Sequence, residues 1–158
     1  MKIKNKKILF FHGLESSLPS SKAKWIQEMG FNVHSHPMMY KSPDAFKHAL
    51  SCAKSFNPDY IVGSSMGGYF ALIVGTHIPT SLILLNPALN SRSLEFNITK
   101  GTKRPKKIFA LLGNNDKVIN PIDSEKELLK MNAQVNFGNH AHRTPINIFS
   151  DYFSSLTL

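Results

Sequence analysis

A short apolar stretch, Tyr60-Ile61-Val62, runs straight into Gly63-Ser64-Ser65-Met66-Gly67, and an apolar segment, Tyr69-Phe70-Ala71-Leu72-Ile73-Val74, follows it. Few folds accommodate that order. A buried strand must become a helix within two or three residues, and small residues are needed on both sides of so tight a turn. The pattern is G-x-S-x-G centred on Ser65; Ser64 fails as the centre because Val62 and Met66 would then occupy the glycine positions. A serine at the tip of such a turn has its Oγ lifted above the sheet, where a nucleophile has to stand. Without that chemistry the same residues are a glycine-rich strand–helix junction, so the rest of the chain has to decide.

The rest of the chain alternates strands with helices. Strands are expected at Lys7–Phe11, Asn32–His36, Tyr60–Gly63, Leu82–Leu85, Ile108–Leu112 and Gln134–Phe137. Most are short continuous apolar runs, as strands covered on both faces of a parallel sheet must be. Helices are expected over 21–29 and 66–77, and after Ser42-Pro43, Asn120-Pro121 and Thr144-Pro145. Each of those dipeptides offers a capping side chain followed by proline at the first helical position. The inward sets would be Phe46, Ala49, Leu50 and Ala53; then Ile122, Leu128 and Leu129; then Ile146, Phe149, Phe153 and Leu156. The alternation predicts one α/β domain over residues 1–158 with a parallel sheet. Residues 87–105 keep no period, and 88–106 reads as a short cap or insert.

Composition narrows the functional classes. The single cysteine, Cys52, excludes an intrachain disulfide. The four apolar residues after the lysine-rich start are too few for a signal peptide, and no run approaches the ~20 residues of a membrane span. A cytoplasmic location and no membrane partner are expected. The net charge of +9 reads as solvated lysines rather than a nucleic-acid footprint, since basic and aromatic residues do not interleave. The pairs His34-x-His36 and His140-x-His142 lack an evident carboxylate partner, so neither a metal nor a cofactor is expected.

A nucleophilic serine needs a base, and the base needs a carboxylate to orient it, in the chain order Ser, acid, His. His77, His140 and His142 are the histidines after Ser65. His77 ends the helix that Ser65 begins and so points away. His140, in Gly138-Asn139-His140 directly after a strand, is preferred, with His142 left open. Among the acids, Asp123, Glu125 and Glu127 fall inside a helix and Glu95 follows no strand. Asp116 comes just past a strand end, where ligand-site residues of open α/β sheets lie. The oxyanion donors would be the backbone N–H groups of Met66 and of Leu14, the latter after His12-Gly13 at the end of the first strand.

Taken together, His12-Gly13-Leu14-Glu15-Ser16-Ser17 with Ser21-Lys22-Ala23, the Gly63–Tyr69 elbow, Leu84-Leu85-Asn86-Pro87-Ala88, and the Asp116 and His140 loops resemble the YqiA/YcfP-like small bacterial esterases over nearly the whole chain. The resemblance implies a compact α/β-hydrolase with about six mostly parallel strands in the order 2-1-3-4-5-6, flanked by helices. It implies hydrolysis of a small-molecule carboxylic ester or acyl thioester by Ser65, Asp116 and His140, with His12, Gly13, Gly63 and Gly67 shaping the supporting turns. An acyl-CoA-type thioesterase and a non-catalytic interaction protein on the same fold are the alternatives. In the 88–106 segment, Leu89, Leu94, Phe96 and Ile98 would line an acyl pocket. Arg92, Lys100, Lys103, Arg104, Lys106 and Lys107 would favour an anionic leaving group.

Overall fold

The computed structural model describes residues 5–16, 18–90, 92–96 and 98–158. Six strands, β1 (Lys7–Phe11), β2 (Asn32–His36), β3 (Tyr60–Ser64), β4 (Ser81–Leu85), β5 (Ile108–Gly113) and β6 (Gln134–Gly138), form one sheet in the order β2-β1-β3-β4-β5-β6. Every neighbouring pair is parallel. The expected strands and their order are therefore borne out. The helices are α1 (Ser21–Glu28), α2 (Ala45–Phe56), α3 (Met66–Val74), α4 (Pro121–Lys130) and α5 (Ile146–Ser155).

Parallel strands need cover on both faces, and alternate strand residues feed two separate cores. Leu9, Phe11, Ile61, Leu82, Leu84, Ala110 and Leu112 pack under α2, α3 and α4 with Phe46, Phe70 and Leu128. Ile8, Phe10, Val62, Ile83, Leu85, Phe109 and Leu111 pack on the other side under α1 and α5 with Ile26, Phe149 and Phe153. The two edge strands, β2 and β6, keep polar and partly exposed residues instead. No helix among the described residues is long and apolar enough to cross a membrane.

The helix starts differ in detail. Asn120 caps α4 as expected, its Oδ1 accepting from the Ile122 and Asp123 N–H groups. Ser42 and Pro43 stop short of α2: the Ser42 hydroxyl accepts from Asp44 N–H at 3.2 Å, closing a turn, and the helix begins at Ala45. The last helix begins at Ile146 with Pro145, not Thr144, at its cap position. Ile122, Leu129 and Ile146 are exposed rather than inward. The buried face of α4 is narrow, reduced to Ser124 and Leu128.

The chain reverses direction of travel across the sheet between β1 and β3, with β2 to one side and β4 to the other. Strand carboxyl ends bordering such a reversal open a crevice. The loops after β1 and β3 lie on its two sides. The 88–106 stretch reaches the crevice wall at Ala88, Arg92 and Ser93. Phe96 packs edge-on against Phe70 with ring centres 4.9 Å apart, and Leu89, Leu94 and Ile98 lie on the same core cluster. None of these four lines the crevice around Ser65; Leu94 and Phe96 line a separate groove with Tyr40 and Pro43.

Candidate active site

Ser65 follows β3 directly and begins the turn into α3 with φ 53° and ψ −114°. Backbone hydrogen bonds hold this conformation. The Ser65 N–H donates to Leu85 C=O at 2.9 Å, and its own C=O accepts from Gly68, Tyr69 and Ala88 at 3.0, 3.2 and 2.9 Å. The flanking glycines are explained by proximity. A Cβ at Gly67 would stand 2.2 Å from the Phe11 carbonyl oxygen, and one at Gly63 would stand 2.5 Å from that of Gly67.

The Ser65 Oγ lies 2.8 Å from His142 Nε2, and His142 Nδ1 lies 2.8 Å from Asp116 Oδ2. An ionised carboxylate can only accept, so Nδ1 carries the imidazole proton and Nε2 accepts from the serine hydroxyl. The other carboxylate oxygen, Asp116 Oδ1, accepts from the N–H groups of Val118 and Ile119 at 2.8 and 2.9 Å. Both oxygens of this buried acid are thus committed, and its plane is fixed.

His140, the preferred histidine, is not the one that lies against Ser65. His140 is buried; its Nδ1 lies 2.8 Å from the Ala141 carbonyl and its Nε2 has no partner. The ring fills space left by two glycines. A Cβ at Gly113 would meet His140 Nδ1 at 2.7 Å, and one at Gly138 would meet His140 Cδ2 at 2.7 Å. Gly138 is level with Gly113 at the end of β5. A residue so soon after β6 is still beside the sheet, and two more residues bring the chain over Ser65. His142, the alternative left open, is the histidine that reaches Ser65.

Sequence reasoning also passed over Asn86. Buried at the end of β4, with φ 42°, it accepts at Oδ1 from Gly113 N–H at 2.7 Å. Its Nδ2 donates to the His142 carbonyl at 2.8 Å and to Thr144 Oγ1 at 3.4 Å. Asn86 thereby ties the histidine loop to the strand end that precedes Asp116. The signal available was an amide side chain at a strand's carboxyl end, just before proline. Asn86→Ala leaves a buried donor and acceptors unpaired, at about 1–3 kcal/mol for each lost partner. Urea denaturation should show that loss as a lowered midpoint.

The N–H of Met66 opens α3 and has no partner within the helix. Among the described residues, the Leu14 N–H makes no backbone hydrogen bond either. Both residues line the crevice beside Ser65. His12 fixes the Leu14 loop: its Nδ1 donates to Gly13 C=O at 2.7 Å, and its Nε2 accepts from Met38 N–H at 3.2 Å. The His12 carbonyl accepts from the Tyr40 hydroxyl. Burial holds that phenol far above the ordinary range, so it stays a donor.

The crevice encloses about 930 Å³ and includes Ser65, His142, Lys22, Arg92 and Arg143 in its wall. Burial, and then the neighbouring Arg143 charge, pull the Lys22 pKa below the ordinary lysine value. Of the basic residues expected from the 88–106 stretch and just beyond, Arg92 alone reaches this wall; Lys22 and Arg143 come from elsewhere.

Known structures share the fold. A protein assigned to the alpha/beta hydrolase superfamily from Xanthomonas campestris pv. campestris aligns at TM-score 0.75 and 18% identity, over 96% of this chain and 99% of that one. A structure from a study of carboxylesterases of Nitrososphaera gargenis aligns at 0.67 and 12%, over 94% and 89%. XC6422 from Xanthomonas campestris, described as a serine hydrolase without a lid, aligns at 0.59 and 15%, over 86% and 72%. No curated protein matches the sequence. The model of the uncharacterised protein family UPF0227 matches residues 7–101, which include the His12-Gly13-Leu14 loop, Ser65 and Asn86. With that match, the α/β-hydrolase fold and the resemblance of the motifs agree, and the chain belongs to the UPF0227 family.

Proposed function

We propose that the protein is a serine hydrolase that cleaves carboxylic esters or acyl thioesters, with Ser65 as nucleophile, His142 as general base and Asp116 as its orienting acid. The observation that carries this reading is the continuous hydrogen-bonded chain from Ser65 Oγ through both His142 nitrogens to Asp116, at 2.8 Å in each link. His142 Nε2 takes the hydroxyl proton as Oγ attacks the carbonyl carbon. The oxyanion accepts hydrogen bonds from the Leu14 and Met66 N–H groups, one such donor contributing about 10²–10³ in kcat. The intermediate collapses and expels the alkoxide or thiolate, which takes the proton back from His142. Water then attacks the acyl-serine with the same base, and the carboxylic acid leaves.

The test is turnover of a short-chain aryl ester together with labelling by a fluorophosphonate, read by peptide mass spectrometry. Turnover with a single adduct on Ser65 is expected. A folded protein that neither turns over nor labels would sink the hydrolase reading.

The crevice wall favours a substrate bearing a negative charge away from the scissile bond. Arg92 is already engaged: its guanidinium lies 4.1 Å over the Tyr69 ring and 3.8 Å from Glu95. Among the described residues, Lys22 and Arg143 have no carboxylate within ion-pair distance, yet each raises the other's electrostatic energy. An anionic group between them relieves both. Lys22→Gln is expected to raise KM about 10-fold for a carboxylate- or phosphate-bearing ester and to leave a neutral ester of equal length unchanged, a difference of about 1.4 kcal/mol. Equal effects on both esters would remove the charge argument and leave the hydrolase reading standing.

A further inference from the structure

A second group of chemistry-bearing side chains lies outside the crevice, between the edge strand β2 and helix α2. His34 and His36 are two residues apart on β2, so their imidazoles project from the same face of the strand. Cys52 reaches them from α2. One ligand atom from each of the three lies within 4.8 Å of the other two. Aromatic contacts hold the rings in place: His34 against Phe56 with centres 5.5 Å apart, and His36 edge-on to Phe11 at 6.1 Å. His36 Nε2 is buried with no hydrogen-bond partner. A buried imidazole nitrogen without a partner carries a desolvation penalty that a neighbouring ligand would offset. Cys52 is a free thiol.

We infer that His34, His36 and Cys52 form a binding site for a borderline-soft divalent metal ion, with zinc the ion their chemistry fits best. Two imidazoles and one thiolate are an N₂S set, which suits zinc and poorly suits magnesium or calcium, whose ligands are oxygens. Metal–ligand distances of about 2.0–2.3 Å around a tetrahedral ion put ligand atoms roughly 3.3–3.8 Å apart. Small rotations of three side chains that already converge close the difference. The fourth position falls to water or to His48, which precedes Cys52 by one helical turn on α2 and faces the same way. On binding, the Cys52 thiol releases its proton to solvent and the thiolate sulfur joins the metal.

The site would be structural. It would staple an edge strand to the helix that covers it. β2 leads directly into the segment whose Met38 N–H and Tyr40 hydroxyl hold His12. This inference does not depend on the hydrolase reading.

Zinc titration of the purified chain against a chromogenic chelator, with cobalt(II) as a spectroscopic substitute, tests it. One equivalent of zinc is expected, and the cobalt form should show a tetrahedral spectrum with a thiolate-to-metal charge-transfer band. His34→Ala and Cys52→Ser should each weaken zinc binding about 100-fold or more. Cys52→Ser should also abolish the charge-transfer band. His34 is exposed, so its removal leaves folding intact, which circular dichroism confirms. His142→Ala, which removes the imidazole beside Asp116, should leave zinc uptake unchanged. Absence of uptake by the wild type overturns the proposal. So does wild-type affinity in both His34→Ala and Cys52→Ser, or uptake that disappears with His142 instead.

Discussion

His142→Ala is expected to lower kcat for a short-chain aryl ester by about 10⁵–10⁶-fold, with Ser65→Ala falling as far and the double variant falling little further. In the proposed mechanism serine and imidazole act as one unit, so removing either removes the proton path from Oγ. What remains is binding and the two oxyanion donors. His140 supplies the control. Its ring is enclosed by Gly113 and Gly138 and touches neither Ser65 nor Asp116 through a hydrogen bond. His140→Asn should lower the urea midpoint, because the packing between the glycines is lost, while kcat per folded molecule stays of the wild-type order. Steady-state kinetics with active-site titration separates the two quantities. If His140 variants lost turnover and His142 variants kept it, the base assignment would be wrong.

Gly67→Ala should have the largest effect on stability. The added Cβ would lie 2.2 Å from the Phe11 carbonyl oxygen and 2.6 Å from that of His12, both on the backbone at the end of a central strand. Neither oxygen belongs to a side chain that can rotate away. Relief would need the start of α3 to lift off β1, at the expense of the bonds from Gly68, Tyr69 and Ala88 to the Ser65 carbonyl. A loss of about 3–5 kcal/mol is expected, against a total stability of about 5–15 kcal/mol for an ordinary domain. Gly13→Ala is the contrast. Its Cβ would come no closer than 3.5 Å to any atom, so its urea midpoint should stay near or slightly above that of the wild type. Equal midpoints for the two variants would refute the steric account of the elbow.

The inner strands β1, β3, β4 and β5 were legible because a strand buried on both faces has to be a continuous apolar run, and the polar edge strands β2 and β6 from their places in the strand–helix alternation. β1, β2 and the starts of β3, β5 and β6 begin at the expected residues. Ser65 and Asp116, expected from their places at strand ends, are two members of the hydrogen-bonded chain. The third member, His142, was not preferred, because position after a strand says nothing of how far a loop must climb before it passes over Ser65. That distance is set by the Gly113–His140–Gly138 packing and by Asn86, contacts between parts of the chain distant in sequence. Ile122, Leu129 and Ile146 were misread for a related reason. Their helices follow the apolar period, but the width of the face that is covered depends on which neighbour lies above it. The 88–106 stretch lacked any period, so nothing in its pattern announced the packing of Phe96 on Phe70.

The backbone at Ser65, with φ 53° and ψ −114°, is one that glycine adopts freely and a side chain resists. Holding serine there costs about 1–3 kcal/mol. The chain is therefore less durable at this position than it could be. Ser65→Gly should give a protein that cannot label or turn over yet melts at a higher temperature than the parent. Under the proposed mechanism endurance and chemistry pull against each other at a single residue, and selection for thermal stability alone would remove the proposed nucleophile.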